Sequence, residues 1–232
     1  MKVLIINATM RKQTTYNIAK SFISKLNCET EIEEIFLPDA MPKFCLGCGN
    51  CFMVSEKNCP HYEFSKAILE KMLNADLLVF ANPVYVFHTT GQMKTLLDHY
   101  GYMWLIHRPS AQMFVKQAVV ISTAAGGGTK SANKDIVDSL RFWGVARIHT
   151  YGINVKAASW KSVKKEIKEK IDKDVTKLAK KIELDSDKVK PMFISKMYFY
   201  IFRGLQKKGF SKIDQEYWDS KGWLGRNRPF NK

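Results

Sequence analysis

Along residues 1–155 the apolar positions fall into two alternating patterns. Short unbroken runs rich in Val and Ile, such as KVLIIN, DLLVFANP and KQAVVIST, read as strands buried on both faces of a parallel sheet. Between them apolar residues recur at helical spacing: Ile18, Phe22 and Leu26 fall four apart on one face of TTYNIAKSFISKL. EFSKAILEKMLNA, GQMKTLLDHYGYMWL and SANKDIVDSLRFWG continue the helical pattern, the last stopped by Gly144. TEIEEIF reads as a more exposed second strand and ARIHTYGIN as the last strand. WKSVKKEIKEKIDKDVTKLAKKI reads as a long amphipathic helix, and the stretch from Pro42 to Pro60 as a loop.

Five strands alternating with helices predict an α/β fold with an open, doubly wound parallel sheet and helices on both faces. Such sheets bind ligands beyond the carboxyl ends of their strands, where the strand order switches. The loops that matter are therefore 9–15, 83–90 and 123–130. Near residues 183–191 the pattern changes. This divides the chain into a main domain at 1–185, with a cysteine loop at 45–59 inserted after the second strand, and a basic, aromatic-rich tail at 186–232.

Composition narrows the class. With 232 residues, 46% hydrophobic and 12% aromatic, the chain can bury a full core without disulfide staples. Neither a signal peptide nor a long apolar run is visible, so a cytoplasmic protein without a transmembrane segment is expected. In that reducing setting, clustered cysteines are metal ligands or redox groups more often than disulfides. The net charge of +15 is uneven: residues 1–155 carry 16 Lys and Arg against 12 Asp and Glu, residues 156–232 carry 21 against 10. Acidic residues are interleaved with the lysines at helical spacing, which favours a solvated helix face over a specific nucleic-acid surface. No paired carboxylates and no Ser/His/Asp order stand out, which counts against a hydrolase.

The first loop, NATMRKQTTYN, sets three threonines and Gln13 beside Arg11 and Lys12 at the start of a helix. Hydroxyls, a guanidinium and free helix N–H groups suit a phosphate, and side-chain capping by Thr14 or Thr15 is the plainer alternative. Glycine patterns of a dinucleotide fingerprint or a P-loop are missing. In the second loop Pro83 stiffens the turn and Tyr85 and Phe87 offer aromatic surface. The third, TAAGGGT, lets backbone lie close to a flat ligand and point amides at it.

The order T-x-R-x-x-T-T, then P-V-Y with G-Q-M-K eight residues after Pro83, then T-A-A-G-G-G, resembles the NAD(P)H-dependent FMN reductases of flavodoxin-like fold. With its compact cysteine motif the chain looks more narrowly like the iron–sulfur flavoproteins. The resemblance implies an FMN phosphate held by Thr9, Arg11, Gln13, Thr14 and Thr15. It implies an isoalloxazine ring lying against Pro83, Val84, Tyr85, Val86 and Phe87 and against Thr123, Ala124, Ala125, Gly126, Gly127 and Gly128. Met10 stands where the family usually has proline, and Tyr16 where a small hydroxyl residue is usual.

Cys45, Cys48, Cys51 and Cys59 form C-x2-C-x2-C-x7-C, followed by Pro60. Two-residue gaps let one turning loop aim three sulfurs at a common centre, with Gly47 and Gly49 permitting the turn. A 4Fe–4S cluster, which the resemblance implies, a zinc ion held by four thiolates, and packed reduced thiols all remain open. Cys28 reads as a buried small hydrophobe. His61 stands where it could touch a sulfur or replace a ligand, and His88 and His107 near the mouth of the sheet.

The sequence thus points to an FMN-dependent oxidoreductase of iron–sulfur flavoprotein type, with NAD(P)H or a ferredoxin-like carrier as electron partner. No side chain is assigned as acid or base. A cluster-free NAD(P)H-dependent FMN or quinone reductase is the nearer rival. A zinc-stabilised binding protein with a nucleic-acid-binding tail is the rival of another class. The tail, with PMFISKMYFYIFRGLQKK and two further tryptophans, is expected to pack on the domain or to wrap a partner subunit in a homo-oligomer, a dimer or tetramer.

Overall fold

The computed structural model describes residues 1–186 and 189–230. Its sheet is built from β1 (Lys2–Asn7), β2 (Glu31–Phe36), β3 (Leu77–Ala81), β4 (Gln117–Ala124) and β5 (Arg147–Asn154). They lie in the order β2-β1-β3-β4-β5, and every pairing is parallel. This is the flavodoxin-like doubly wound order, whose switch point falls between β1 and β3. The helices are α1 (Thr14–Ile23), the short α2 (Leu37–Ala40) and α3 (Asn50–Met53), α4 (Tyr62–Asn74), α5 (Gly91–His99), α6 (Thr129–Phe142), α7 (Lys165–Leu184), α8 (Phe193–Lys207) and α9 (Lys212–Ser220).

The period-two alternation of each strand splits the core in two. Val3, Ile5, Val79 and Ile121 face α1 and α7 through Ile18, Phe22, Ile171 and Val175. Leu4, Ile6, Phe80 and Val120 face α4, α5 and α6 through Ile68, Met72, Leu96, Ile136 and Leu140. Central strands β3 and β4 are buried along their whole length, which is why they read as unbroken apolar runs. At the edge β2 is mostly exposed, as its glutamates require.

Two helices are shorter than their patterns predict. GQMKTLLDHYGYMWL is helical only to His99 and then tightens into a 3₁₀ turn at Gly101–Met103, where glycine weakens the α-helix. The last main-domain helix starts at Lys165, and Trp160–Lys164 form a turn instead. Cys28 is exposed in the turn before β2, contrary to its reading as a buried hydrophobe.

The tail forms a third apolar cluster on the same chain. Trp218, Phe199 and Trp223 close over Leu105 and Phe114. Trp218 Nε1 donates to the His107 carbonyl at 2.6 Å, Tyr217 Oη to that of Pro109 at 2.7 Å, and Gln206 Nε2 to that of Ile106 at 2.5 Å. Among the described residues no helix is long and apolar enough to cross a membrane.

Candidate functional site

A cleft of about 220 Å³ opens at the carboxyl ends of β1, β3 and β4, at the switch point. Thr9, Arg11, Gln13, Thr14, Thr15, Pro83, Val84, Tyr85, Thr123, Ala124 and Ala125 line it, so all three loops singled out in the sequence reach one place. Val86, Phe87, Gly126, Gly127 and Gly128 are not among its lining residues.

Helix α1 begins at Thr14 with Gln13 at its N-cap and no side-chain cap. Both threonines sit inside the first turn, buried, so neither caps the helix. The first-turn N–H groups are left without a side-chain acceptor at the positive end of the helix dipole. Thr15 Oγ1 instead lies 2.5 Å from Thr123 Oγ1 on β4. Tyr16 also lines the cleft and stacks on Phe36, with the Lys12 ammonium over both rings.

The 83–88 segment is a tight hairpin. Tyr85 and His88 exchange both backbone hydrogen bonds at 3.0 Å, and Val86 and Phe87 between them hold φ of 46° and 65°. Two positive φ values mark a type I′ turn, which favours Asn-Gly, and Val there is strained. Both side chains are exposed, Val86 to 92%. Asp135 on α6 steadies the hairpin's far end, accepting from the Thr89 N–H and lying 3.1 Å from His88 Nδ1. Gly128 is obligatory under it: φ is 94°, and a Cβ would meet Phe87 Cα and Val84 Cγ1 at 2.8 Å. Gly126, by contrast, has nothing within 4 Å of such a Cβ.

A fourth loop, absent from the sequence reading, completes the cleft. Val155, Ala157 and Ala158 follow β5 and line it. Arg11 Nη2 donates to the Ala158 carbonyl at 3.4 Å, and the Trp160 N–H donates to Gln13 Oε1 at 3.2 Å. Asn7, at the end of β1, was also missed. Its Nδ2 donates to the Ile35 carbonyl, its wholly buried Oδ1 has no hydrogen-bond partner, and the residue lines the cleft. Hydroxyls, a guanidinium and an uncapped helix N-terminus together fit a phosphate such as that of FMN.

The cysteine loop stands apart from the cleft. Gly47 and Gly49 adopt φ of 64° and 75°, turning the chain so that Cys51 enters α3. All five cysteines are reduced, Cys45 and Cys48 exposed and Cys51 and Cys59 half-buried. Burial raises the Cys51 thiol pKa, and the neighbouring Cys59, Cys45 and Cys48 sulfurs push it further up. Four thiols are by their chemistry a soft donor set of the kind a cluster or a thiophilic ion takes, but among the described residues the ligand atoms that converge are those of Cys59, His61 and His99. Arg108 ties the loop to the tail: it donates to the Cys51 carbonyl, lies 3.7 Å from Glu56, and is 2.5 Å from Asp214 on α9. His107 does not line the cleft but meets the Phe52 ring at a tilt, centroids 4.8 Å apart, and lies 2.8 Å from the same Asp214.

His61 lies beside His99 as well as Cys59, and its pKa is lowered by burial, then by His99 and Lys43.

A family model for NADPH-dependent FMN reductases matches residues 1–159. An iron–sulfur flavoprotein of Archaeoglobus fulgidus is 35% identical over 101 residues, covering 42% of this chain and 48% of that protein. The chain thus aligns with about half the length of that relative. An iron–sulfur flavoprotein of Clostridioides difficile is 25% identical, with 96% of this chain and 99% of that protein covered. Among solved structures, an azoreductase from Bacillus anthracis matches 78% of this chain and 99% of its own at a TM-score of 0.60 and 16% identity, a likeness of fold.

Proposed function

The chain belongs to the NADPH-dependent FMN reductase family, and from that premise we propose that it is an FMN-dependent oxidoreductase of iron–sulfur flavoprotein type. Electrons would come from NAD(P)H or a ferredoxin-like carrier. The observation that carries the reading is the switch-point cleft, where Thr9, Arg11, Thr14 and Thr15 meet the uncapped first turn of α1. When bound, FMN supplies hydride acceptance and the release of electrons one or two at a time, and a cluster adds one-electron transfer.

The chain's own residues then have separable tasks. Arg11, Thr9, Thr14 and Thr15 would neutralise and orient the phosphate with the help of the α1 dipole. Pro83, Val84 and Tyr85 would pack against the flat ring, and the backbone at Thr123–Ala125 would lie along its polar edge. The strained Val86–Phe87 turn would hold apolar surface at the mouth, where it excludes water from the reacting face. Cys45, Cys48, Cys51 and Cys59 would hold the cluster, on a loop that Arg108 anchors to the tail. The exposure of Cys45 and Cys48 favours the second reading, an FMN or quinone reductase whose thiols hold no cluster.

The test is anaerobic titration of the FMN-loaded protein with NADH, NADPH and reduced ferredoxin. Loss of the oxidised-flavin absorption with at least one donor is expected. Failure with all three would overturn the reading.

A further inference from the structure

Away from the cleft, one group of metal-ligating side chains closes around a single point. The Cys59 sulfur and one ring nitrogen each of His61 and His99 lie within 4.8 Å of one another. Cys59 and His61 flank Pro60 just before α4, whereas His99 is the last residue of α5. The site therefore joins two elements that the cysteine spacing alone does not connect.

His99 is held as a ligand is held. It is buried, and its Nδ1 lies 2.8 Å from the Thr95 carbonyl oxygen. A carbonyl only accepts, so Nδ1 carries the proton and Nε2 of the neutral ring presents its lone pair. A carbonyl partner on the far nitrogen is the usual outer support of a metal-bound histidine. That Nε2 stands 3.1 Å from His61 Nδ1. The His61 backbone N–H in turn donates to Cys59 Sγ at 3.4 Å, fixing the sulfur beside the pair.

We propose that Cys59, His61 and His99 bind one divalent transition-metal ion of the zinc class, with the fourth position open to water. In a tetrahedral zinc site the nitrogen and sulfur ligand atoms stand about 3.3–3.6 Å apart. The two imidazole nitrogens, 3.1 Å apart, lie within about 0.3 Å of that separation, so closure needs mainly a shift of Cys59 of about 1 Å. One thiolate with two imidazoles is a borderline-soft set, right for zinc or cobalt and wrong for magnesium or calcium, which take oxygen. Cys59 cannot serve this ion and a four-cysteine cluster together, so the two occupants exclude each other. The proposal therefore rests on the second reading above, in which the four cysteines hold no cluster.

Cobalt(II) titration tests it. The FMN-loaded protein, stripped of metal by chelator under reducing conditions, is followed by the visible bands of tetrahedral cobalt and by thiolate-to-cobalt charge transfer. One cobalt per chain is expected. His61→Ala and His99→Gln should each weaken binding at least ~10-fold, and Cys45→Ser/Cys48→Ser should leave it unchanged. Retained FMN and an unchanged thermal melt show that each variant is folded. If His99→Gln fails that control, the half-buried His61→Ala decides. No cobalt bands in the unaltered protein would overturn the proposal. So would bands that survive His61→Ala but vanish in the double cysteine variant, because the ion would then sit on the cysteine set.

Discussion

Thr15 Oγ1 and Thr123 Oγ1 lie 2.5 Å apart and join the first turn of α1 to the end of β4 across the switch point of the sheet. Both residues are buried and both line the cleft. Thr15→Val would strand the Thr123 hydroxyl at a cost of about 1–3 kcal/mol. Urea melts should show that loss. FMN affinity should fall about tenfold or more, equivalent to about 1.4 kcal/mol, while Thr15→Ser keeps both. Unchanged FMN binding in Thr15→Val would remove the pair from the cofactor site.

Arg11 tests the phosphate end. A charge-assisted hydrogen bond is worth about 1.5–3 kcal/mol, so Arg11→Ala should weaken FMN binding about 10- to 100-fold. Riboflavin, which has no phosphate, should bind both proteins alike. Flavin fluorescence titrations with the two ligands separate the outcomes, and an equal loss for both would place Arg11 elsewhere on the cofactor.

The hairpin at Val86 and Phe87 predicts a trade of stability against binding. Val86→Asn/Phe87→Gly gives the turn its preferred sequence and should stabilise the free protein by about 1 kcal/mol or more. The same change removes apolar surface at the mouth, so FMN should bind less tightly. Thermal melts of the free protein paired with FMN titration check both halves.

Gly128 and Gly126 make a contrasting pair. Gly128→Ala places a methyl 2.8 Å from Phe87 Cα at a positive φ and should cost about 1–3 kcal/mol, seen as a lower melting temperature. Gly126→Ala has open space around its Cβ and should leave stability unchanged within about 0.5 kcal/mol.

Asp214 sits almost wholly buried between Arg108 and His107. Removing one partner of a buried ion pair costs about 3–5 kcal/mol. Asp214→Ala should therefore destabilise the protein by that order in urea melts. It should also expose the 45–59 loop to limited proteolysis, because Arg108 also carries the Cys51 carbonyl.

The sheet was legible because buried parallel strands leave unbroken Val and Ile runs, and the carboxyl-end rule then pointed to the loops at Thr9, Pro83 and Thr123. The same rule applied after β5 would have found Ala157 and Ala158, but that loop carries no conspicuous side chain. Asn7 was hidden at the end of a strand, where its polar atoms gave no pattern. Val-Phe is the wrong sequence for a type I′ turn, so the positive φ at Val86 and Phe87 had no local signal. His99 read as one more residue of a helix face, and its meeting with His61 depends on how α4 and α5 pack. Cys28 was misplaced because a small apolar residue beside a strand gives no sign of which way the turn faces.

The most direct measurement is an absorption spectrum of anaerobically purified protein, with flavin, iron and sulfide assayed on the same sample. Flavin bands with about one FMN per chain are expected, and about four irons per chain would seat a cluster on the four cysteines and exclude the ion proposed at Cys59, His61 and His99. Flavin without iron would remove the cluster and leave the FMN reductase. A colourless protein that takes up no added FMN would contradict the assignment of the switch-point cleft as a flavin site.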